Sequence, residues 1–390
     1  MTKLKLLVVL GTRPEAVKLA PLVLAARARP EFAVKVCQTG QHAEIGADVL
    51  ELFGIVPDID LEIMKPRQTL TQVTVAVLRA LQPLLAGESV DWLVVQGDTT
   101  TAFASALASF YAKIPVAHVE AGLRTGDIYA PWPEEMNRRL ITTIARLHFA
   151  PLESNAANLR REGVPDSRIH VTGNTGIDAL KLLLRRLEAD KALAARAQAM
   201  LDAAGIGGTA PLVLVTGHRR ESFGAGFRAI CAAIAELARR FPDRHFVYPV
   251  HPNPAVREPV FSALGAGKLK NVHLIEPLGY LPFVLLMSRA ELILTDSGGI
   301  QEEAPSIGKR VIVLRQVTER SEGIATGLIR LTGTDPARIL ADASDALGGF
   351  WPVPRHGTDI YGDGQAAQRI LAALLAQSAG REGTTEARPL

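Results

Sequence analysis

This chain of 390 residues contains only two cysteines, Cys37 and Cys231, which stand in separate apolar stretches. Two isolated thiols exclude a disulfide framework and a zinc site built from cysteines, so we predict buried structural thiols in a reducing cytosol. The excess of charge of one sign is also small, because 43 basic and 40 acidic residues leave a net charge of +3. That balance does not indicate a surface that binds nucleic acid, although a local basic cleft for a small anion is compatible with it.

Long hydrophobic runs are lacking as well. Residues 6–10 are too short a run for a signal peptide, and Arg13 and Glu15 follow them closely. No uncharged apolar run approaches the roughly 18 residues that a membrane span requires. We therefore expect a soluble cytoplasmic protein with no membrane partner, and the length predicts two domains.

Apolar runs of strand length alternate with helical patterns along the whole chain. They lie at residues 4–10, 33–37, 92–95, 115–119, 212–215, 245–250, 272–275, 292–294 and 311–314. Such alternation predicts parallel sheets covered on both faces. We expect an α/β fold of two Rossmann-like, doubly wound domains, residues 1–178 and 179–364, that face a cleft. A helix at 365–378 packs back on the first domain by analogy, and 379–390 form a flexible tail.

Ligands of such folds bind at the carboxyl ends of the strands, so functional residues are expected there. After the first strand, Gly11-Thr12-Arg13-Pro14-Glu15-Ala16-Val17-Lys18 puts Arg13 and Lys18 at a helix start. An anionic ligand explains cations at this positive helix end better than stability does, and a solvated basic turn is the alternative. The motif is not a Walker loop, because the second glycine and the Gly-Lys-Ser/Thr ending are missing.

Three acidic residues follow later strands of the first half. Asp98 stands in Gln96-Gly97-Asp98-Thr99, where capping of the next helix is the structural alternative. Glu120 stands in His118-Val119-Glu120, and period-two alternation puts His118 and Glu120 on one face of the strand end. Glu134 follows in Pro133-Glu134-Glu135. Three converging acids would repel one another, which favours proton transfer by at least one. No metal site is expected, because the Cys-x-x-Cys and His-Glu-x-x-His patterns are missing.

Two histidines follow adjacent strands of the second half. His218 stands in Thr216-Gly217-His218-Arg219-Arg220-Glu221, and His251 stands in His251-Pro252-Asn253-Pro254. A lone histidine is usually structural, whereas two beside arginines suggest anion contact and proton donation. Gly224-Ala225-Gly226-Phe227-Arg228-Ala229 matches the loose dinucleotide fingerprint, but it starts well beyond the strand end. The second strand also ends at a histidine instead of an acid, so we reject NAD and expect no cofactor.

The most informative motif is Thr295-Asp296-Ser297-Gly298-Gly299-Ile300-Gln301-Glu302-Glu303. A buried strand delivers a serine and two glycines to a helix start, whose free amide groups can hold a diphosphate. Glu303 lies four residues after Gly299, on the same helix face, and can bind a ribose diol. Arg320 adds positive charge after the next strand. Phe283 either stacks on a base or packs in the core, and the structural alternative for the motif is a plain glycine turn.

Taken in order, these motifs resemble the non-hydrolysing UDP-N-acetylglucosamine 2-epimerases. The likeness runs from about residue 4 to 375 and includes Tyr361-Gly362-Asp363-Gly364 near the end. The resemblance implies a glycosyltransferase-B-like fold, usually a homodimer, with substrate in the interdomain cleft and no metal or cofactor. It implies reversible epimerisation of UDP-N-acetylglucosamine to UDP-N-acetylmannosamine, which supplies N-acetylmannosamine-type sugars for bacterial surface polysaccharide.

The resemblance also assigns roles to individual positions. The implied catalytic residues are Asp98, Glu120, Glu134 and His218. The implied substrate-binding residues are Arg13, Lys18, His218, His251, Leu278, Phe283, Ser297, Gly298, Gly299, Glu303 and Arg320, with uracil near Leu278 and Phe283. Activation by substrate at a second, adjacent site is implied at Gln41, His42, Arg67, Gln68, Arg219 and Glu221. The chain departs from the family pattern at Ala43, Ser321-Glu322-Gly323 and Asp359-Ile360.

Three other functions are compatible with parts of the pattern. A hydrolysing epimerase would release UDP and free N-acetylmannosamine, which an assay for free sugar detects. A UDP-sugar glycosyltransferase of the same fold would need an acceptor. A non-catalytic nucleotide-sugar sensor would bind UDP without isotope exchange, and the three acids argue against it.

Overall fold

The computed structural model describes residues 3–40, 43–63, 65, 67–265, 269–352 and 357–379. The chain divides into two compact units. The first unit comprises Met1–Ala179 and Gly362–Leu390, and the second comprises Leu180–Tyr361. The sequence-based boundaries were residues 178 and 364.

The first unit is built on one parallel sheet of seven strands. These are β1 (Leu4–Leu10), β2 (Phe32–Gln38), β3 (Ile59–Asp60), β4 (Trp92–Gln96), β5 (Val116–Val119), β6 (Leu147–Ala150) and β7 (Ile169–Val171). Their spatial order is β3-β2-β1-β4-β5-β6-β7. The helices are α1 (Arg13–Arg27), α2 (Ala43–Leu52), α3 (Leu70–Gly87), α4 (Thr100–Tyr111), α5 (Glu134–Ile144), α6 (Glu153–Arg161) and α7 (Thr175–Ala189), which continues into the second unit.

The second unit repeats the plan with six parallel strands. These are β8 (Leu212–Thr216), β9 (His245–Pro249), β10 (Val272–Ile275), β11 (Ala290–Thr295), β12 (Arg310–Val313) and β13 (Ile329–Leu331), in the order β10-β9-β8-β11-β12-β13. The helices are α8 (Lys191–Ala203), α9 (Ala225–Arg240), α10 (Pro254–Leu264), α11 (Tyr280–Arg289), α12 (Gly298–Ser306) and α13 (Pro336–Leu347). The expectation of two doubly wound parallel sheets is confirmed.

The last helix, α14 (Ala366–Ala379), belongs to the first unit and packs on α1. Its first amide groups, at Ala366 and Ala367, donate to the Asp178 carboxylate at 3.2 and 2.8 Å. A carboxylate at a helix start satisfies free N–H groups and complements the helix dipole. Ile370, Leu371 and Leu374 are fully buried. The chain end after the second unit is thereby anchored in the first.

Helix α3 has the length and the mean hydropathy, 1.2, of a membrane span. Arg79 interrupts these 18 residues, so the sequence-based statement that no uncharged apolar run approaches this length still holds. Length and composition alone are weak evidence, because a core helix passes the same test. Val77 and Leu81 lie in the core beside Leu93, so α3 packs as a helix of the first unit.

Both sheets reverse their strand order at one place, beside β1 and β4 in the first unit and beside β8 and β11 in the second. The connections that leave the two strands at such a switch point diverge, and a crevice for ligands opens outside the carboxyl ends of the strands. In each unit, two turns leave the sheet at this point. They are the turns after β1 and β4, which carry Arg13 and Asp98, and the turns after β8 and β11, which carry His218 and Ser297.

Candidate active-site residues

The turn after β1 is organised by Glu15, a carboxylate that is buried to 1% exposure. Glu15 accepts hydrogen bonds from the Gly11 and Thr12 amides at 2.9 and 2.7 Å and from the Thr99 hydroxyl at 2.6 Å. Burial raises the pKa of Glu15, and these hydrogen bonds oppose the rise. Thr12 and Glu15 form a capping box that starts α1, and Thr99 caps α4. Glu15 therefore ties together the turns that carry Arg13 and Asp98.

Lys18, one turn into α1, contacts Glu120. Its Nζ donates to both carboxylate oxygens of Glu120 at 2.6 Å, and the two side chains are 21% and 14% exposed. The Gln96 amide also donates to Glu120 Oε2. Glu120 therefore supplies negative charge beside Lys18, and the anionic ligand expected at this turn stays a prediction. Arg13 lies at the first position of α1 and is half-buried.

Asp98 follows β4, and α5 holds it. Arg138 donates from Nε to Asp98 Oδ2 at 2.8 Å, and its Nη2 lies 2.7 Å from the same oxygen. The Asn137 side chain donates to the Asp98 backbone carbonyl at 2.9 Å. Thr99, not Asp98, caps α4, so the capping alternative for Asp98 is wrong. Glu134 begins α5, is half-buried, and lies one turn before Arg138 on the same helix face.

The predicted repulsion among the three acids is offset in the structure. Asp98 and Glu120 each face a cation at hydrogen-bond distance. Two of the acids thus have dedicated cationic partners. The spacing of residues along the sequence does not reveal which cation pairs with each acid.

The shared-face argument for His118 and Glu120 does not hold, because β5 ends at Val119. Glu120 adopts a left-handed backbone with φ +64°, a conformation that non-glycine residues rarely take and that functional sites often contain. His118 is fully buried instead, and its Nε2 lies 2.7 Å from the Gly97 carbonyl oxygen. Desolvation lowers the pKa of His118 to about 4. A neutral imidazole that donates to Gly97 therefore supports the turn before Asp98.

In the second unit, the buried Asp296 organises the turn after β8. Its Oδ2 accepts from the His218 and Arg219 amides at 2.8 Å each. Its Oδ1 lies 3.4 Å from His218 Nδ1, an ion-pair separation without a hydrogen bond. The His218 ring stacks on His251 with 5.8 Å between ring centres. Burial lowers the pKa of His218, and Asp296 opposes this shift. The two histidines after β8 and β9 are therefore neighbours, as adjacent strand ends predicted.

The start of α12 provides free amide groups beside a cation. Ser297 precedes the helix without making a side-chain cap, and Gly298 and Gly299 form its first turn. A methyl group added at Gly298 would lie 2.7 Å from Arg320 Cζ, so the guanidinium covers this glycine closely. Arg320 is held by Glu302 at 2.6 Å and by Glu319 at 3.2 Å. We define Ser297, Gly298, Gly299 and Arg320 as the anion turn, since helix-start amides and a fixed guanidinium both favour phosphate.

The other predicted residues of the second unit lie near the same edge of its sheet. Glu303 Oε1 would lie 3.9 Å from a methyl group at Gly299, which confirms that both residues occupy one helix face. Leu278 precedes α11 and Phe283 lies within it, and both are half-buried. His251 is exposed, and its Nδ1 accepts from the Asn253 amide at 3.1 Å.

The residues assigned to substrate activation fall into two groups. Arg67 and Gln68 lie in the first unit, between β3 and α3, where Gln68 bonds to the Lys65 amide at 2.9 Å and to the Ile63 carbonyl at 3.0 Å. Arg219 and Glu221 lie in the second unit after β8, where Glu221 pairs with Arg315 at 2.6 Å. Gln41 and His42 lie outside the described residues.

Sequence reasoning missed the residues that support these groups. They are Gln96, Glu135, Asn137, Arg138, Asp296 and Glu302. Gln96 had a detectable signal, because it is a polar residue at the end of an otherwise apolar, buried strand. Arg138 also had one, since it follows Glu134 by four residues and so shares its helix face. In the part of the chain that the structure describes, no three His, Cys, Asp or Glu side chains are grouped to hold a metal ion.

Together, the strand order, the paired carboxylates and the anion turn define a two-domain α/β enzyme with a glycosyltransferase-B-like fold. The family model described as UDP-N-acetylglucosamine 2-epimerase matches residues 24–375. The chain belongs to the UDP-N-acetylglucosamine 2-epimerase family, which confirms the resemblance of its motifs.

Individual relatives agree with this assignment. The UDP-N-acetylglucosamine 2-epimerase of Escherichia coli O157:H7 is 52% identical over 373 residues, which cover 95% of this chain and 98% of the relative. The crystal structure of the Neisseria meningitidis enzyme bound to UDP-GlcNAc has a TM-score of 0.87 and 44% identity, covering 96% of this chain and 100% of that chain. The Methanocaldococcus jannaschii enzyme, in complex with UDP-GlcNAc and UDP, has a TM-score of 0.79 and 34% identity at 96% and 100% coverage.

Proposed function

We propose that this chain interconverts UDP-N-acetylglucosamine and UDP-N-acetylmannosamine by inverting carbon 2, without hydrolysis. The observation that carries the proposal is the set of acids at the first unit's strand ends, two of which pair with a cation. The second unit supplies a complementary group, the anion turn at the start of α12. A nucleotide sugar needs both functions, because its diphosphate must be held while its sugar loses and regains a proton.

The anion turn acts on the leaving group. The hydrogen on carbon 2 is not adjacent to a carbonyl, so direct removal is prohibitive. Departure of UDP from carbon 1 first places positive charge on the ring and makes that hydrogen acidic. The Gly298 and Gly299 amides, Arg320 and His218 stabilise the negative charge that develops on the diphosphate. Arg13 contributes from the first unit, and Leu278 and Phe283 hold the uracil.

The carboxylates act on the sugar. One of Asp98, Glu120 and Glu134 removes the carbon 2 proton as UDP leaves, which gives 2-acetamidoglucal. UDP then adds back while a proton is delivered to the opposite face. Inversion needs a proton-transfer group on each face, and this explains why several acids are present. Lys18 and His251 lie near the reacting atoms, as the family resemblance implies.

Proton NMR of UDP-N-acetylglucosamine with the protein in heavy water tests the proposal. We expect UDP-N-acetylmannosamine with deuterium at carbon 2, because the abstracted proton exchanges with solvent. Release of free N-acetylmannosamine would identify a hydrolysing epimerase instead. An Asp98→Asn protein with full turnover would remove Asp98 from the catalytic set.

We further propose substrate activation through Gln41, His42, Arg67, Gln68, Arg219 and Glu221, as the family resemblance implies. We also propose a cytoplasmic homodimer whose product serves bacterial surface polysaccharide synthesis. Cys37 and Cys231 support a reducing compartment, because both are buried and lie in different units, and burial raises the pKa of each to about 12. Light scattering coupled to size exclusion tests the dimer.

A further inference from the structure

Arg138 donates its hydrogen bond to one carboxylate oxygen of Asp98, Oδ2. Nε of Arg138 donates to Asp98 Oδ2 at 2.8 Å, and Nη2 lies 2.7 Å from the same atom. Asn137, the preceding residue, donates to the Asp98 carbonyl at 2.9 Å. Helix α5 therefore fixes both the backbone and the side chain of Asp98.

Arg138 is itself held in place by Glu135, a carboxylate whose side chain is 0% exposed. Arg138 Nη1 donates to Glu135 Oε2 at 3.1 Å, and the Thr125 amide donates to the same oxygen at 3.1 Å. Arg139 contacts the other oxygen of Glu135 at 3.3 Å. Two carboxylates thus face two guanidinium groups, and the planar fork of Arg138 fixes the direction of each bond. An arginine 10% exposed and bound at both ends has little freedom to turn.

The second oxygen of Asp98 differs from the first. Within the described ranges, no hydrogen bond reaches Oδ1, and the side chain is 26% exposed. Glu120 offers a contrast, because both of its oxygens accept from Lys18 and one also accepts from Gln96. Asp98 is therefore held by one oxygen while the other is accessible, as a proton-transfer group requires.

We propose that Arg138 is a positioning residue, which binds Asp98 Oδ2 so that Oδ1 exchanges the proton of carbon 2 on one face of the sugar. The inference rests on the proposed epimerisation. In the elimination, the C2–H bond breaks and its proton goes to Oδ1. The electron pair of that bond forms the C1–C2 double bond, and UDP leaves with the pair of the C1–O bond. No oxidant or other reactant takes part.

The test compares Arg138→Met with Arg139→Met, a matched control on the same helix. Both variants remove a guanidinium that contacts Glu135, but Arg139 has no contact with Asp98. We expect Arg138→Met to lower kcat about 100-fold, the scale of a misplaced catalytic group. KM and the calorimetric affinity for UDP should stay within about threefold, because Arg138 does not bind ground-state substrate. Arg139→Met should keep both kcat and KM.

Two readouts separate positioning from a structural role. In an Asp98→Asn background, Arg138→Met should lower kcat further by less than about threefold. The effects of residues that act as a unit are non-additive. Methylguanidinium should restore turnover to Arg138→Met and leave Arg138→Met/Asp98→Asn unchanged, with urea as the solvent control. If Arg138→Met does not fold, Glu135→Gln/Arg138→Gln removes the two buried charges together and replaces it in every comparison.

The outcomes decide the inference separately from the proposed function. A wild-type protein that gives no carbon 2 exchange would overturn the epimerisation itself. A wild type that epimerises, with Arg138→Met no slower than Arg139→Met, would overturn only the positioning role. The positioning role would also be overturned if the losses of kcat caused by Arg138→Met and by Asp98→Asn were additive in the double variant.

Discussion

Lys18 Nζ and the Glu120 carboxylate lie 2.6 Å apart although 102 residues separate them along the chain. One belongs to the helix after β1 and the other to the turn after β5. Both side chains are largely buried, so removal of either partner leaves a poorly solvated charge. This pair joins the turn that carries Arg13 to the end of a more distant strand.

Lys18→Met should therefore lower kcat by about 100-fold, because Glu120 loses the cation that holds it in place. The measurement is the initial rate of carbon 2 exchange under saturating substrate. Lys35→Met is the matched control, since Lys35 and Glu88 form a 2.7 Å pair in the same unit with side chains 50% and 37% exposed. Exposed pairs contribute little, so this variant should keep wild-type turnover. Equal activity of the two variants would contradict a role for the Lys18–Glu120 pair.

Gly298→Ala should weaken binding of UDP at least about tenfold, the loss expected for one charge-assisted contact. The added methyl group would meet Arg320 Cζ at 2.7 Å, so the guanidinium must move away from the anion turn. Calorimetric titration with UDP measures the change. Gly87→Ala is the control, because a methyl group there meets nothing within 4 Å. UDP affinity unchanged in Gly298→Ala would remove the anion turn from the diphosphate site.

Sequence patterns predicted most of the fold because buried parallel strands are continuous apolar runs. All nine predicted strands are present, and β1 and β10 match to the residue. Four further strands were missed, namely β3, β6, β7 and β13, which have two to four residues each. Such short segments carry too few residues for a periodic signal, and His148 and His170 interrupt two of them.

The candidate site was predictable at the level of positions but not of partners. Strand ends and glycine turns gave Asp98, Glu120 and Ser297 correctly as residues at the edges of the sheets. The cations that face the two acids come from different helices, and the folded backbone alone brings them together. Period-two reasoning failed at Glu120 because its left-handed backbone ends the strand alternation. Local rules therefore fail where the chain departs from regular structure.

Acid should destabilise the protein between about pH 6.5 and pH 4 through His118 and His148. Both are buried on adjacent strands, and desolvation lowers the pKa of His118 to about 4 and that of His148 to about 3. Below pH 6.5 the unfolded chain takes up protons at these histidines and the folded chain does not. The free energy of unfolding therefore falls as the pH falls, by about 2 kcal/mol per histidine at pH 5.

Between pH 7 and pH 5, the free energy of unfolding of His148→Leu should accordingly fall by about 2 kcal/mol less than that of the wild type. Urea unfolding at the two pH values measures the difference, so any loss common to both conditions cancels. His170→Leu is the control, because His170 is only partly buried and should change the pH dependence less. An identical pH dependence in His148→Leu and wild type would show that His148 does not govern acid stability.

The proposed substrate activation should depend on Arg67. Arg67 is exposed, has a left-handed backbone with φ +58°, and is followed by Gln68, which ties the segment to Lys65 and Ile63. A bulky residue held in that conformation requires support from its surroundings, and functional sites are where such strain is found. Arg67 lines a groove beside α3 together with Arg79.

Arg67→Ala should abolish the proposed acceleration of the reverse reaction by UDP-N-acetylglucosamine, because the variant removes a cation from the proposed activating site. The rate of UDP-N-acetylmannosamine conversion is measured with and without a small amount of added UDP-N-acetylglucosamine. Arg79→Ala, in the same groove but on α3, tests whether positive charge alone is sufficient and should retain the acceleration. If Arg67→Ala responds to the added substrate as the wild type does, the activating ligand binds without Arg67.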